Sequence, residues 1–186
     1  MRRRAVWMYG HLLWMFNVPE GRGQLNNGLA MGTGAGTDDL VQPTLVITDG
    51  NLTQNFDGID IEFILAPHTE APAAMVFFFP QYNSICLAEI CNQCQHNVLT
   101  PRGAQVRDTL AWSEALDKML VWVDRIEASE ELSAWGPHHW PRWSRACVRE
   151  YIEGQRDLYR DLHDQTVRLM NEGFSANGIF SMSDVA

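Results

Sequence analysis

Between Thr44 and Glu89 the chain breaks into five short β-branched or aromatic runs, and this spacing constrains the fold more than any other feature. The runs are Thr44 to Thr48, Leu52 to Phe56, Ile59 to Leu65, Met75 to Phe79 and Ser84 to Leu87. Asp49-Gly50 and Asp57-Gly58 stand between them as hairpin signals. Taken in order they predict a mostly antiparallel β-meander. Past Gly103 the period changes: Val106, Leu110, Leu116, Leu120 and Val123 recur near helical spacing to about Ile126. A Pro-bounded turn, Pro137 to Pro141, precedes a second helical tract from about Arg145 to Asn171, ended by Gly173. The apolar patch Leu132 to Trp135 reads as a further strand. Strands followed by helices place the chain in the α/β (α+β) class.

Residues 17 to 43 are rich in Gly and Asn and read as a long irregular segment, which divides the chain into a loop-rich stretch, 1–43, and a core-forming stretch, 44–186. Gly32-Thr33-Gly34-Ala35-Gly36 lacks the Lys-Ser/Thr that a phosphate loop requires, and no strand precedes it. A length of 186 residues with 46% apolar residues suits one buried core. Fourteen Lys and Arg against 23 Asp and Glu give a net charge of -9, the wrong sign for a nucleic-acid partner. No run approaches the roughly 18 apolar residues of a membrane span. Met1-Arg2-Arg3-Arg4 and the apolar residues after it resemble a signal peptide, but Gly10 and His11 interrupt the run and no Ala-x-Ala site follows. No secretory signal is therefore expected, and the compartment stays open. Cys86, Cys91, Cys94 and Cys147 are too few for a disulfide scaffold and compatible with a reducing compartment.

Three polar islands follow apolar strands: Pro67-His68-Thr69-Glu70-Ala71-Pro72, Glu89, and Pro137-His138-His139-Trp140-Pro141. Loops at strand ends are where sites are commonly assembled. A carboxylate closing an apolar strand is costly to bury unless a cation or donor meets it. Two carboxylates and a His pair from three strand ends suit a zinc-like or hard-metal site. Cys91-x-x-Cys94 with His96 is a separate candidate, half of a structural zinc site or a redox pair. His68 could add a ligand or stand free on the surface.

Several tracts together carry a resemblance. They are Met8-Tyr9-Gly10-His11-Leu12-Leu13, Thr69-Glu70-Ala71-Pro72, Leu87-Ala88-Glu89, His96-Asn97, Arg102 to Asp108, Ala111-Trp112-Ser113, His138-His139-Trp140-Pro141, Gln155 to Tyr159 and Leu162 to Thr166. In them the chain resembles the linear alkyl sulfatases of the metallo-β-lactamase superfamily. The resemblance implies half of an αββα sandwich, with 44–186 a partial metallo-β-lactamase-like domain. It implies a binuclear zinc site in which Glu70 binds one metal, Glu89 bridges both, and His138, or alternatively His139, binds the second. It further implies that Asn97 and Arg102 contact the sulfate of a small-molecule sulfate ester such as dodecyl sulfate. A guanidinium suits that role because it offers paired donors to an oxyanion. The implied chemistry is metal-assisted hydrolysis of the ester to alcohol and sulfate.

The family's His-x-His-x-Asp-His cluster is missing from these 186 residues, so the ligand set is incomplete. The chain reads as the second half of a catalytic domain, and no catalytic residue is assigned with certainty. The alternative is an inactive remnant or a pseudoenzyme that binds sulfate through Asn97 and Arg102. Ile90-Cys91-Asn92-Gln93-Cys94-Gln95 also departs from the family's usual stretch, which puts the pocket's shape in question. A lone half would expose the inner sheet face, including some of Phe77, Phe78 and Phe79 and the apolar side of Ile59 to Leu65, unless a second copy or a complementary half covers it. Light scattering over a concentration series should therefore show growing oligomers, and a monodisperse monomer at high concentration would contradict this.

Overall fold

The computed structural model describes residues 41–48, 50, 52–99, 105–136 and 139–183. The chain divides into two compact units, residues 1–46 with 99–105 and residues 47–98 with 106–186. The second unit carries all the regular structure described here. Its strands are β1 (Thr53–Phe56), β2 (Ile59–Leu65), β3 (Met75–Phe79), β4 (Ser84–Cys86), β5 (Ser133–Gly136) and β6 (His139–Trp143). Its helices are α1 (Thr109–Arg125), α2 (Arg145–Asn171) and α3 (Ala176–Ser183). A 3₁₀ turn, Pro80–Tyr82, links β3 to β4.

The six strands form one sheet in sequence order. The meander β1 to β4 is antiparallel throughout, as expected. Phe56 pairs with Ile59 across the two-residue Asp57-Gly58 loop, and both loop residues have positive φ, the type I′ geometry that matches strand twist. The pairing of β4 with β5 is parallel, with α1 as its crossover. Because β3 is antiparallel to both β2 and β4, and β5 is parallel to β4, strands β2, β4 and β5 all end at the same edge of the sheet. Glu70 and Glu89 follow the first two of those ends.

The pleat sorts side chains onto two faces. Ile64, Val76, Phe78, Ile85 and Ala134 join Trp112, Leu116, Met119, Trp122 and Val123 of α1 and Val148, Ile152 and Tyr159 of α2 in one core. On the other face the register aligns Phe63, Phe77, Cys86 and Trp135 in a row across four strands. Phe63 and Phe77 meet edge to face at 5.6 Å. Trp135 and Trp143 of this row's face are exposed. A sheet with its helices on one face is the expected half of an αββα sandwich. Phe78 belongs to the helix side, so of the three consecutive phenylalanines it is Phe77 and Phe79 that turn the other way.

Two sequence expectations differ from the structure. Thr44 to Thr48 is not a strand but bends and extended chain, since β-branched residues alone do not supply a pairing partner. Of the turn expected over Pro137 to Pro141, residues 139–141 are strand instead, because His139 to Trp143 pairs with β5 at the sheet edge, where Pro141 is tolerated. The helices match more closely. α2 has the expected bounds, while α1 begins at Thr109 rather than near Gly103.

The start of α1 is set by Asp108, whose carboxylate Oδ1 accepts from the Leu110 and Ala111 amides at 2.9 and 3.1 Å. Its far end is tied to β2, where Glu62 accepts from Trp122 Nε1 at 3.0 Å and from the Arg125 guanidinium. Asp108→Ala should lower unfolding free energy by about 1 kcal/mol, read as a lower urea midpoint with an unchanged slope.

Candidate metal centre

The loop after β2 turns sharply at His68, whose φ is +66°, and Thr69 Oγ1 donates back to the Ala66 carbonyl. Glu70 thereby comes to lie over the next strand ends. The loop after β4 turns at Ala88, φ +46°, and Asn92 Nδ2 donates to the Glu89 carbonyl at 2.8 Å. Gly136 at the end of β5 allows this packing, because a Cβ there would sit 2.6 Å from the Ala88 carbonyl oxygen. Trp112 on α1 donates from Nε1 to the Ile90 carbonyl at 2.7 Å and stacks on Tyr159 of α2 at 4.5 Å. The Tyr159 hydroxyl accepts from the His96 amide at 3.1 Å. Burial pushes that phenol up to about 12, so it stays a neutral hydroxyl.

These supports bring Glu70, Glu89 and His96 together, with one ligand atom of each within 4.8 Å of the others. All three are half-buried. Beside them lies Arg107, the residue before the α1 cap, with its side chain 7% exposed. Its Nε donates to the Glu70 carbonyl at 2.8 Å and one terminal nitrogen to Glu70 Oε1 at 2.9 Å. The other terminal nitrogen donates to Asn97 through its carbonyl at 2.5 Å and its Oδ1 at 3.0 Å, and lies 2.9 Å from His96 Nδ1. Two carboxylates and an imidazole within reach of one point are donors of the kind that fit a divalent cation.

The two carboxylates expected to share a metal do converge. Asn97 is exposed and held beside them by Arg107. His139 opens β6, paired with Gly136. His138 and Arg102 lie outside the described residues. His68 is exposed and stands apart from the cluster. The grouping of Cys91, Cys94 and His96 is not formed: among the described residues His96 joins the carboxylates, and no such ligand group includes a cysteine. Cys91 instead points inward, its thiol on the Tyr151 carbonyl at 3.8 Å, while Cys94 is exposed. Sequence reasoning quoted Arg107 but gave it no role. Its spacing of one residue from a helix cap was the signal that it enters the interior with the helix.

No protein-family model matches the chain. Among characterised proteins it is 40% identical over 180 residues to a linear primary-alkylsulfatase from a Pseudomonas species, covering 96% of this chain and 25% of that protein. It is 34% identical over 179 residues to an alkyl/aryl-sulfatase of Saccharomyces cerevisiae, covering 96% and 26%. The solved structure of a stereoselective inverting sec-alkylsulfatase from a Pseudomonas species superposes with a TM-score of 0.73 at 34% identity, over 93% of this chain and 26% of that one. Sequence and fold thus make the chain similar to one part of the alkylsulfatases, with acidic residues gathered at its strand ends. It spans about a quarter of the length of the relatives it matches.

Cys91 lies at 2% exposure and burial pushes its thiol well above the usual range; Cys86 is raised for the same reason. Cys94 and Cys147 are exposed. In the folded protein at mildly alkaline pH, a disulfide thiol reagent should therefore react quickly with Cys94 and Cys147 alone, and with Cys86 and Cys91 after denaturation. Rapid reaction of Cys91 in the native protein would contradict the structure.

Proposed function

We propose that this chain forms part of a zinc-dependent sulfate-ester hydrolase acting on small alkyl sulfates, such as dodecyl sulfate, to yield alcohol and sulfate. The observation that carries the reading is the convergence of Glu70 and Glu89, from two loops 19 residues apart, at one edge of the sheet beside His96. Zinc bound there would supply Lewis acidity toward the ester and a water poised for attack. Glu70 and Glu89 would hold it, with His138 or His139 the further ligand that the family resemblance implies. Asn97 and Arg102 would receive the sulfate, and Arg107 holds Asn97 in place through its carbonyl and Oδ1. The binuclear site needs more ligands than these, so the family's His-x-His-x-Asp-His residues have to be supplied for turnover.

Zinc uptake measured by calorimetry on the purified chain tests this. The chain should bind less than one zinc per molecule and release no sulfate from dodecyl sulfate by itself. Glu70→Gln and Glu89→Gln should each weaken zinc binding tenfold or more, in the range of about 10–100-fold seen when a metal's supporting groups are removed. Equal zinc binding by both variants and the parent chain would overturn the reading. Sulfate binding that survives without zinc would favour a non-catalytic anion-binding module.

A further inference from the structure

The segment from Glu89 to Asn97 contains neither helix nor strand, yet it carries a carboxylate of the centre at one end and Asn97 at the other. Its two ends are held by different side chains. At the first, Trp112 Nε1 donates to the Ile90 carbonyl and Asn92 Nδ2 to the Glu89 carbonyl. Tyr151 and Cys91 then bond reciprocally: the Tyr151 hydroxyl donates to the Cys91 carbonyl at 3.3 Å, and the Cys91 thiol donates to the Tyr151 carbonyl at 3.8 Å. An unanchored stretch follows. Gln93, Cys94 and Gln95 are exposed and carry no hydrogen bond among the described residues. The chain is taken up again at His96, whose amide donates to the Tyr159 hydroxyl at 3.1 Å.

Three exposed residues without hydrogen bonds transmit little restraint, so the place of His96 does not follow from the anchors at Ile90 and Cys91. It has to be set from the second anchor. Tyr159 suits that task because its own ring cannot wander: it is 0% exposed and stacks on Trp112 at 4.5 Å with 18° between the planes. The His96 ring lies 5.7 Å from the same indole. One aromatic pair therefore locates His96 twice, through its backbone and through its ring. Asn97 is the next residue, and Arg107 meets it through its carbonyl and Oδ1. Arg107 ties Asn97 to Glu70, while Tyr159 fixes the chain that delivers it.

We propose that Tyr159 is a positioning residue for the oxyanion end of this centre: its hydroxyl sets the His96 backbone, and so the place of Asn97, independently of the anchors that set Glu89. The proposal rests on the reading given above for the role of Asn97 toward sulfate. The separate anchoring of the two ends stands on the hydrogen bonds alone.

Two measurements on the full chain test it. The first is amide hydrogen exchange followed by NMR. In the parent, the His96 amide should exchange about tenfold or more slowly than those of Gln93 to Gln95, after correction for intrinsic rates. A His96 amide as fast as these overturns the proposal whether or not any variant folds. Tyr159→Phe, which keeps the ring and its stack, should speed the His96 amide about tenfold and leave the Ile90 amide, bonded to the Leu87 carbonyl, within about twofold. Tyr151→Phe, which loses a hydroxyl at the other anchor, should leave the His96 amide within about twofold. Equal acceleration of Ile90 and His96 in Tyr159→Phe reports a loss shared by the whole fold and overturns the proposal.

The second measurement is calorimetry with inorganic sulfate and with zinc. Tyr159→Phe should weaken sulfate binding by the zinc-treated chain about tenfold and leave zinc binding within about threefold. In an Asn97→Ala background the same substitution should have no further effect on sulfate. Equal weakening of zinc and sulfate, or a Tyr159→Phe effect that persists without Asn97, overturns the proposal. If the parent itself binds no sulfate, the sulfate reading of Asn97 fails and the oxyanion role of Tyr159 with it, while exchange still decides the anchoring.

Discussion

A guanidinium taken out of water has to have its donors met, and this structure is arranged around meeting those of Arg107. Leaving a buried ion without its partner costs on the order of 3–5 kcal/mol. Arg107 avoids that by drawing acceptors from two segments, Glu70 in the loop after β2 and Asn97 in the loop after β4. Its own backbone is held too: the Arg107 amide donates to the Val98 carbonyl and the Asp108 amide to the His68 carbonyl. The residue just before the α1 cap is thus also the one that closes both loops. A lysine could match the charge but not the planar fork that reaches a carboxylate, a carbonyl and a ring nitrogen at once.

The loops can meet at that point because of the sheet's connectivity. A meander alone would put alternate strand ends on opposite edges. Here β2 and β4 are separated by one antiparallel strand and so run the same way, and the right amount of chain in α1 returns β5 parallel to them. The helix pair then supports the site from below, as Trp112 holds the Ile90 carbonyl and Tyr159 holds the His96 amide through a stacked aromatic contact. Stability and function share these residues. Trp112 and Tyr159 are both fully buried, and their polar atoms are the ones that reach the 90–97 loop.

How much of this was legible in the sequence depends on range. The hairpin at Asp57-Gly58, the strands Ile59 to Leu65 and Met75 to Phe79, and the long helix over Arg145 to Asn171 follow from local chemistry, and the structure has them where the spacing puts them. Glu70 and Glu89 were legible as carboxylates closing apolar strands. What local reasoning could not see is pairing between distant segments. Thr44 to Thr48 has strand composition but pairs with no strand among the described residues, whereas His139 to Trp143 contains a proline yet pairs because β5 is already in place. His96 was read with the cysteines near it in sequence, and its real neighbours are 26 residues before it and 11 after it, at Glu70 and Arg107.

The charge pattern of the centre gives that long-range pairing a purpose. Glu70 and Glu89 without a cation would repel one another at this separation, and Arg107 offsets part of that repulsion from the side away from the second Glu70 oxygen. Arg107 meets Glu70 directly, and its bonds to Asn97 tie the second loop to the same cation, so one buried charge both offsets a carboxylate and closes the loops. His96 is drawn to the same guanidinium, its Nδ1 2.9 Å away, so a ring, a carboxylate and an amide from two loops meet around one buried charge, and removing that charge would release both loops together.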